Sequence, residues 1–485
     1  MKRISSKIIV LSCLLMVTIV SCSKSFLEEP PRTITIQDLL NSTDGPERLI
    51  AAVYNKLYDW QQHSFSWIGI SSITSDDADK GSDPGDTGAD KTDLDNWTFN
   101  PSGISFSEVW ISNFEGIGRA TYALKFLPEV SSPNKERYIG EAQFLRAYFY
   151  FNLVRTFGGV PKIDKVLETQ TDIATASVRV SEAEIYAYIE SDLNAAISKL
   201  PATIASAERG RVTRGAAQAL LAKVSLYQKK WAQAKAMSDA VINSGGYSLL
   251  LNYAMIWREA GEFSSESIWE VNCIGSTPSK GIEGYFVVQA PRGGGGLGWG
   301  FNTPTQDLAD AYEVGDQRKA ASIIFAGETL WDGFMVNPLA PNPMYNYKSY
   351  VSKTMESFNG GDWESNKNLR ILRLGDVLLI NAEAANELGN IAAAKIPLNK
   401  VRNRAGLTNT TANTQAAMRA AIWKERRVEM AFEHDRMFDL RRTGRAGTVL
   451  RSHGKPYIDG KHDLFPIPQT QIELSNGRIM QNPGY

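Results

Sequence analysis

The chain has 485 residues, with 52 Lys and Arg against 53 Asp and Glu and a formal net charge of −1 at pH 7. That balance disfavours nucleic acid, whose capture rests on Lys and Arg neutralising phosphates, and it argues against a polyanionic ligand. The length supports one large core or two merged ones, so that buried apolar surface can supply the stability.

Lys2, Arg3 and Lys7 open the chain, and Ile8 to Val20 is a thirteen-residue apolar run, too short to span a bilayer as a helix. It reads as the apolar region of a secretory signal over 1–21. Ile19-Val20-Ser21-Cys22 comes next, an aliphatic residue three before a cysteine and a small one directly before it, which resembles the site cut by lipoprotein signal peptidase. Cys22 is then the first mature residue and the lipidated one, and a multiply acylated cysteine supplies the several chains that stable anchoring needs. Residues 22–45, with Pro30-Pro31, form a tether. Removing residues 1–21 takes three of the 52 basic residues and no acidic one, so the mature chain carries 49 against 53, a net −4. Cys273 is then the single remaining thiol, a small apolar filler in a strand.

Helical period dominates the segments beyond the tether. Residues 47–62 place Leu49, Ile50, Val53, Leu57 and Trp60 on one face, with Asp44 as N-cap and Pro46 early in the helix. WISNFEGIGRATYALKFL (110–127) and KERYIGEAQFLRAYFYFNLVRTFG (135–158) continue the pattern, and Ser181 to Glu184 has the spacing of a capping box. Residues 213–247 read as two amphipathic helices meeting at Lys229-Lys230, with Ala219, Ala222 and Ala234 where helices cross closely. Residues 372–406 repeat the arrangement around Gly389-Asn390 with Ala382, Ala385 and Ala393. Both pairs are similar to tetratricopeptide repeats, and each leaves an apolar face for a neighbour to cover. The fold expected is mainly α, stacked helix pairs forming an α-α superhelix. Residues 46–270 form an N-terminal region, and 271–485 a C-terminal one with ligand loops at 271–365 and repeat-like helices at 366–445.

Two long stretches lack helical period, 71–103 with eight aspartates and about 275–361 with Gly, Pro and aromatics. Loops of this length inside a compact protein are functional or disordered, and the aromatic content argues against disorder. No His-Glu-x-x-His, Cys-x-x-Cys or Gly-x-Ser-x-Gly occurs, and His63, His434, His453 and His462 are scattered, so neither a catalytic set nor a metal site is expected. Asp77-x-Asp79-x-Gly81 is part of a calcium loop without its closing glutamate, which favours a solvated acidic loop. RGGGGLGWGFNTPTQDLADAY (292–312) places glycines before a helix capped by Thr303, but Trp299 and Phe301 stand where a phosphate loop keeps bare backbone. It reads as a flexible loop presenting aromatics. Phe65, Trp67, Trp97, Phe99 and Trp299 are the loop aromatics; Trp97 and Trp299, with Asp76, Asp77, Asn100, Arg292 and Asn302 nearby in sequence, suit a sugar, whose C–H face meets indole while its hydroxyls meet amides and charges. Over 425–442, Glu425, Glu429 and Glu433 recur at four-residue spacing with Arg436 one turn on, an ion-paired helix.

The lipidation site followed by SFLEEPP, then EAQFLRAYFYFNLVRTFGGVP (141–161), NLRILRLGDVLLINAEAANELG (368–389), IWKERRVEMAFEHDRMFDLRRTG (422–444) and LFPIPQTQIELSNGRIMQNPGY at the end together resemble the SusD/RagB family of Bacteroidetes outer-membrane lipoproteins. The resemblance implies a non-catalytic, cofactor-free protein, lipid-anchored at the cell surface, that captures a neutral oligosaccharide and delivers it to a SusC-like TonB-dependent transporter. It implies that the stacked helices pack against a loop-rich ligand-binding region with a few short β-strands, and it places Trp97 and Asn100 in a first ligand loop and Tyr285, Trp299 and Phe301 in a second. Within the same family peptide is an alternative cargo, and a helical-repeat scaffold without small ligand is the other reading.

Overall fold

The computed structural model describes residues 36–86, 88–275, 282–293, 297–357 and 365–485. The leader, Cys22 and the tether as far as residue 35 lie outside them. The chain opens on helices α1 (Ile36–Asn41) and α2 (Gly45–Tyr54). The helix expected to run on to residue 62 breaks instead. Residues 55–58 tighten into a 3₁₀ turn, Asp59 becomes extended at ψ 139°, and two single-turn helices follow, α3 (Trp60–His63) and α4 (Phe65–Ile68). Buried Lys56 ties this corner down, its ammonium bonded to both Asp59 and Glu115.

The aspartate-rich stretch contains a strand, β1 (Ala78–Gly81), and a helix, α5 (Ala89–Asn96). Beyond it α6 (Ile104–Phe126), α7 (Lys135–Phe157), a short α8 (Gln170–Ala176), α9 (Glu182–Lys199), α10 (Arg214–Tyr227) and α11 (Trp231–Ile242) succeed one another. The insert then runs through β2 (Ser267–Val271), α12 (Glu283–Gln289), β3 (Phe301–Pro304), α13 (Gln306–Ala311), β4 (Ile323–Phe325), β5 (Met344–Asn346) and β6 (Leu369–Arg373). Helices α14 (Leu374–Glu387), α15 (Ile391–Arg404), α16 (Gln415–Glu429), α17 (Arg436–Arg442), α18 (Ala446–Ser452) and α19 (Gln469–Leu474) complete the chain.

The long helices stack in the order α6, α7, α9, α10, α11, α14, with α15 and α16 both against α14, so the two repeat-like pairs adjoin although about 130 residues of sequence separate them. Small residues make the crossings close. Ala219, Ala222 and Ala234 are fully buried, and a Cβ on Gly116 of α6 would come within 2.5 Å of the Phe149 ring on α7. Helix α9 starts as its sequence dictates. Ser181 Oγ accepts from the Glu184 N–H at 3.2 Å and the Glu184 carboxylate accepts from the Ser181 N–H at 3.0 Å. Ser181→Ala removes one half of that box, and urea unfolding should register a loss of about 1 kcal/mol.

Two antiparallel ladders organise the insert. β2 and β6 pair with Ser267 opposite Arg373 and Val271 opposite Leu369, closing its base against the helical stack. β1 and β3 pair with Ala78 opposite Pro304 and Gly81 opposite Phe301, which binds the aspartate-rich segment to the glycine-rich one. Cys273 is buried two residues past β2, and its thiol is inert, held well above the usual range by burial. None of the described helices is long and apolar enough to cross a membrane.

The single ion-paired helix expected over 425–442 is two helices. α16 ends at Glu429, and Phe432 and His434 turn the chain at φ 62° and 66° before α17 begins. Arg436 consequently does not meet Glu433; it reaches across to Asp76.

Candidate functional site

The β1–β3 ladder fixes the geometry of the loops around it. Ser82 N–H donates to the Gly300 carbonyl at 2.6 Å, Trp299 N–H to Val287 at 2.8 Å and Gly300 N–H to Ala290 at 3.0 Å. Gly300 itself adopts φ 73°, and a Cβ there would stand 2.8 Å from that of Arg292, so the turn that presents Trp299 admits no larger residue without displacement. Asn302 also holds a left-handed φ of 56°, secured by its amide donating to Gln289 Oε1 at 2.7 Å. The helix after this turn is capped by Thr305, whose Oγ1 accepts from Leu308, rather than by Thr303, which lies in β3.

On this frame a half-buried aromatic group forms. The ring of Trp299 lies 6.0 Å from Trp60 and 6.1 Å from Phe65, tilted by 53° and 74°, and Phe65 packs edge-on at 4.6 Å against buried Phe301. Trp60, Phe65 and Trp299 all keep part of their surface in solvent. Such tilted contacts fix each ring relative to its neighbours. Cations back the layer: Lys91 Nζ sits 4.2 Å from the Phe65 centroid and Lys80 Nζ 5.7 Å from that of Phe301. Arg292 forms the polar rim, donating from Nη1 to Ser82 Oγ at 2.7 Å and to Asp86 Oδ2 at 2.6 Å. Asp90 is held below the ordinary carboxylate range, burial being outweighed by the charge and hydrogen bond of Lys91 and by bonds from Ser105.

The remaining residues expected at the site lie elsewhere. Trp97 is 4% exposed: it closes α5 in a left-handed conformation (φ 58°), donates its indole N–H to the Thr74 carbonyl at 3.1 Å, and stacks among Phe99, Tyr457, His462 and Phe465. A polar, glycine-rich sequence context hid the C-terminal segment that covers it. Trp97→Ala should therefore destabilise the fold by about 3 kcal/mol in denaturant titration. Phe99 and Trp67 are likewise buried. Asn100 is exposed, but its Oδ1 closes a turn onto Ser102 N–H beside the segment at Gln469.

Asp76 and Asp77 are not solvated. Burial raises Asp76, but the bonds and charges of Arg436 and Arg427 prevail and bring its pKa down to about 2. Asp77 accepts from Arg427 Nε at 2.6 Å, and burial holds it above the usual range. Asp77, the first residue of the calcium-like pattern, is thus already paired with a guanidinium. Among the described residues Asp76, Asp307 and His453 have ligand atoms within mutual reach of a metal, yet Arg427 Nη2 stands 3.1 Å from Asp76 and 2.5 Å from Asp307, a cation already in place. Tyr285 is buried with its hydroxyl 2.9 Å from His434 Nε2, and Asn302 is fully buried. Of the nine ligand residues expected, Arg292, Trp299 and Phe301 come together, with Asn302 behind them as part of the frame.

Comparison with known proteins settles the family. A model described as "SusD family" matches residues 320–485, and one described as "Starch-binding associating with outer membrane" matches 26–226. A solved "Laminarin binding SusD-like protein" superposes with a TM-score of 0.79 at 30% identity, covering 92% of this chain and 100% of its own. The chain belongs to the SusD family. Among its SusD relatives, SusD-like protein P2 of Formosa agariphila is 29% identical over 97% of this chain and 98% of its own length. Surface glycan-binding protein A from Bacteroides fluxus superposes with a TM-score of 0.77 at 26% identity, over 92% of this chain and 100% of that one. Two of these SusD relatives, the laminarin-binding protein and surface glycan-binding protein A, are named for glycan binding.

Proposed function

We propose that this protein captures a neutral glucan of the laminarin type on the Trp60–Phe65–Trp299 face, without cleaving it, and passes it to a SusC-like transporter from a lipid anchor at Cys22. One observation carries the reading: two partly exposed indoles and a phenyl ring meet beside a guanidinium–carboxylate rim, with Trp299 held on a strand-pinned turn. Indole faces take the axial C–H surfaces of a pyranose, and Arg292 and Asp86 offer donor and acceptor to its hydroxyls. The laminarin-binding relative supports the choice of glucan. Catalysis is disfavoured by the acids at hand. Glycoside hydrolysis needs a carboxylic acid held protonated near neutrality, whereas Asp86 is bonded to Arg292 and Asp90 to Lys91, which stabilises the ionised forms.

Native electrophoresis through gels containing laminarin, starch or a peptide polymer tests the proposal. Retardation in laminarin, with no new reducing ends released, is the expected result; equal mobility in every gel would refute it.

A further inference from the structure

Between α7, α10, β6 and the turn at 432–435 lies an internal cavity of about 50 Å³, which His63 of α3 and Trp67 of α4 also line. It has room for roughly three or four water-sized guests. Its charged lining is unbalanced, with Arg155, Lys223, Lys348, Lys367 and Arg370 against Glu433 and Asp435. Both carboxylates are engaged. Glu433 accepts from Arg373 at 2.6 and 2.8 Å and from Lys348 at 2.6 Å, and Asp435 from Lys223 at 2.5 Å and Arg155 at 3.2 Å. Lys223 also reaches Asp376, and Arg370 lies 3.5 Å from Glu262 and 3.6 Å from Glu270.

Lys367 differs from the others. It is 1% exposed, donates to the Tyr350 carbonyl, and stands 5.2 Å from the Phe286 centroid, with no carboxylate at ion-pair distance among the described residues. Burial pushes its pKa down to about 7.

Four polar atoms on the same lining have no hydrogen-bond partner among the described residues: Arg155 Nε, Arg370 Nε and Trp257 Nε1, which can only donate, and His63 Nε2, whose role follows its tautomer; Arg370 Nε also faces Glu270 Oε1 at 3.6 Å. His434, by contrast, is satisfied. The Ser71 hydroxyl donates to the Trp67 carbonyl and so accepts from Nδ1–H, which leaves Nε2 to accept from Tyr285. The imbalance is therefore one of surplus donors. Water meets it less well, because each molecule adds two hydrogens that need acceptors of their own. An anion brings acceptors alone, and a buried cation without a partner is the costlier state.

We propose that this cavity binds a monovalent inorganic anion of chloride size, held by Lys367 and the unpaired N–H groups of Arg155, Arg370 and Trp257. The ion joins two parts of the fold, since Arg155 belongs to the helical stack whereas Trp257, Lys367 and Arg370 belong to the insert and its base. It does not depend on the glycan reading.

Crystals of the protein soaked in sodium bromide supply the test, together with melting temperatures in sodium chloride and sodium gluconate at equal ionic strength. A bromide anomalous peak inside the cavity and a higher melting temperature in chloride are expected, and Lys367→Met should abolish the chloride-dependent shift. Water density without bromide signal and identical melting in the two salts would overturn the proposal, and these arms decide it even if Lys367→Met does not fold.

Discussion

Glu429→Gln is expected to destabilise the protein by about 3–5 kcal/mol, the range found when one member of a buried ion-pair network is removed. Glu429 is fully buried at the end of α16 and accepts from Arg318 at 2.9 Å, Arg373 at 2.5 Å and Arg404. Those guanidiniums come from the insert, β6 and α15, so one carboxylate joins three parts of the chain. Space for it is reserved at Gly375, where a Cβ would fall 2.2 Å from Arg373 Nη1 and 2.6 Å from Glu429 Oε1. Glutamine keeps the shape, loses the charge and turns an NH₂ group toward cations. Asp316, Glu425, Glu266 and Glu433 still neutralise part of the cluster, which keeps the loss within that range rather than beyond it. Urea titration at pH 7 measures the effect, and a variant within 1 kcal/mol of the parent would contradict the account.

The pH dependence of that difference is set by linkage. Burial alone would raise Glu429, but Arg404, Arg373 and Arg318 hold it far below the ordinary glutamate value, and Asp376, paired with Lys223 and Arg426, is brought down to about 2. A carboxylate depressed in the folded state contributes its full stability above the unfolded pKa, about 4.3 for glutamate. The contribution is lost as pH falls through the folded value. The gap between parent and Glu429→Gln should therefore be constant from pH 5 to 7 and narrow on acidification below about pH 4.

The stacked helices are legible in the sequence because apolar period, alanine crossings and turn glycines all act within one or two helical turns. Residues 213–247 and 372–406 fold as that local logic dictates. What the sequence conceals depends on partners far along the chain. Trp97 and Trp299 sit in similarly polar surroundings, yet Tyr457 and Phe465 cover the first while the β1–β3 ladder carries the second outward. Asp76 and Asp77 look like a solvated acidic loop because Arg427 and Arg436, which bury them, lie some 350 residues away. Helical spacing puts Trp60 in the core only if the helix runs unbroken through Asp59; the break frees its ring to meet Trp299.

The second large effect concerns that ring pair. Replacing both Trp60 and Trp299 by alanine should weaken glucan binding by between about five- and a hundredfold, equivalent to roughly 1–3 kcal/mol, with little change in overall fold. On the proposed binding mode the single changes should each account for part of it, because the rings lie 6.0 Å apart. Phe65, which packs on buried Phe301, is left in place in the double variant. Calorimetric titration with a laminari-oligosaccharide reads the change, and circular dichroism confirms that the double variant is folded.

A crystal structure of the protein with a laminari-oligosaccharide bound is the most direct measurement. Sugar rings stacked on Trp60 and Trp299, with hydroxyls on Arg292 and Asp86, are the predicted result. Sugar bound elsewhere, for example on the 41% exposed Trp331 that stacks over Arg258 at 3.9 Å, with the Trp60–Trp299 face left bare, would contradict it.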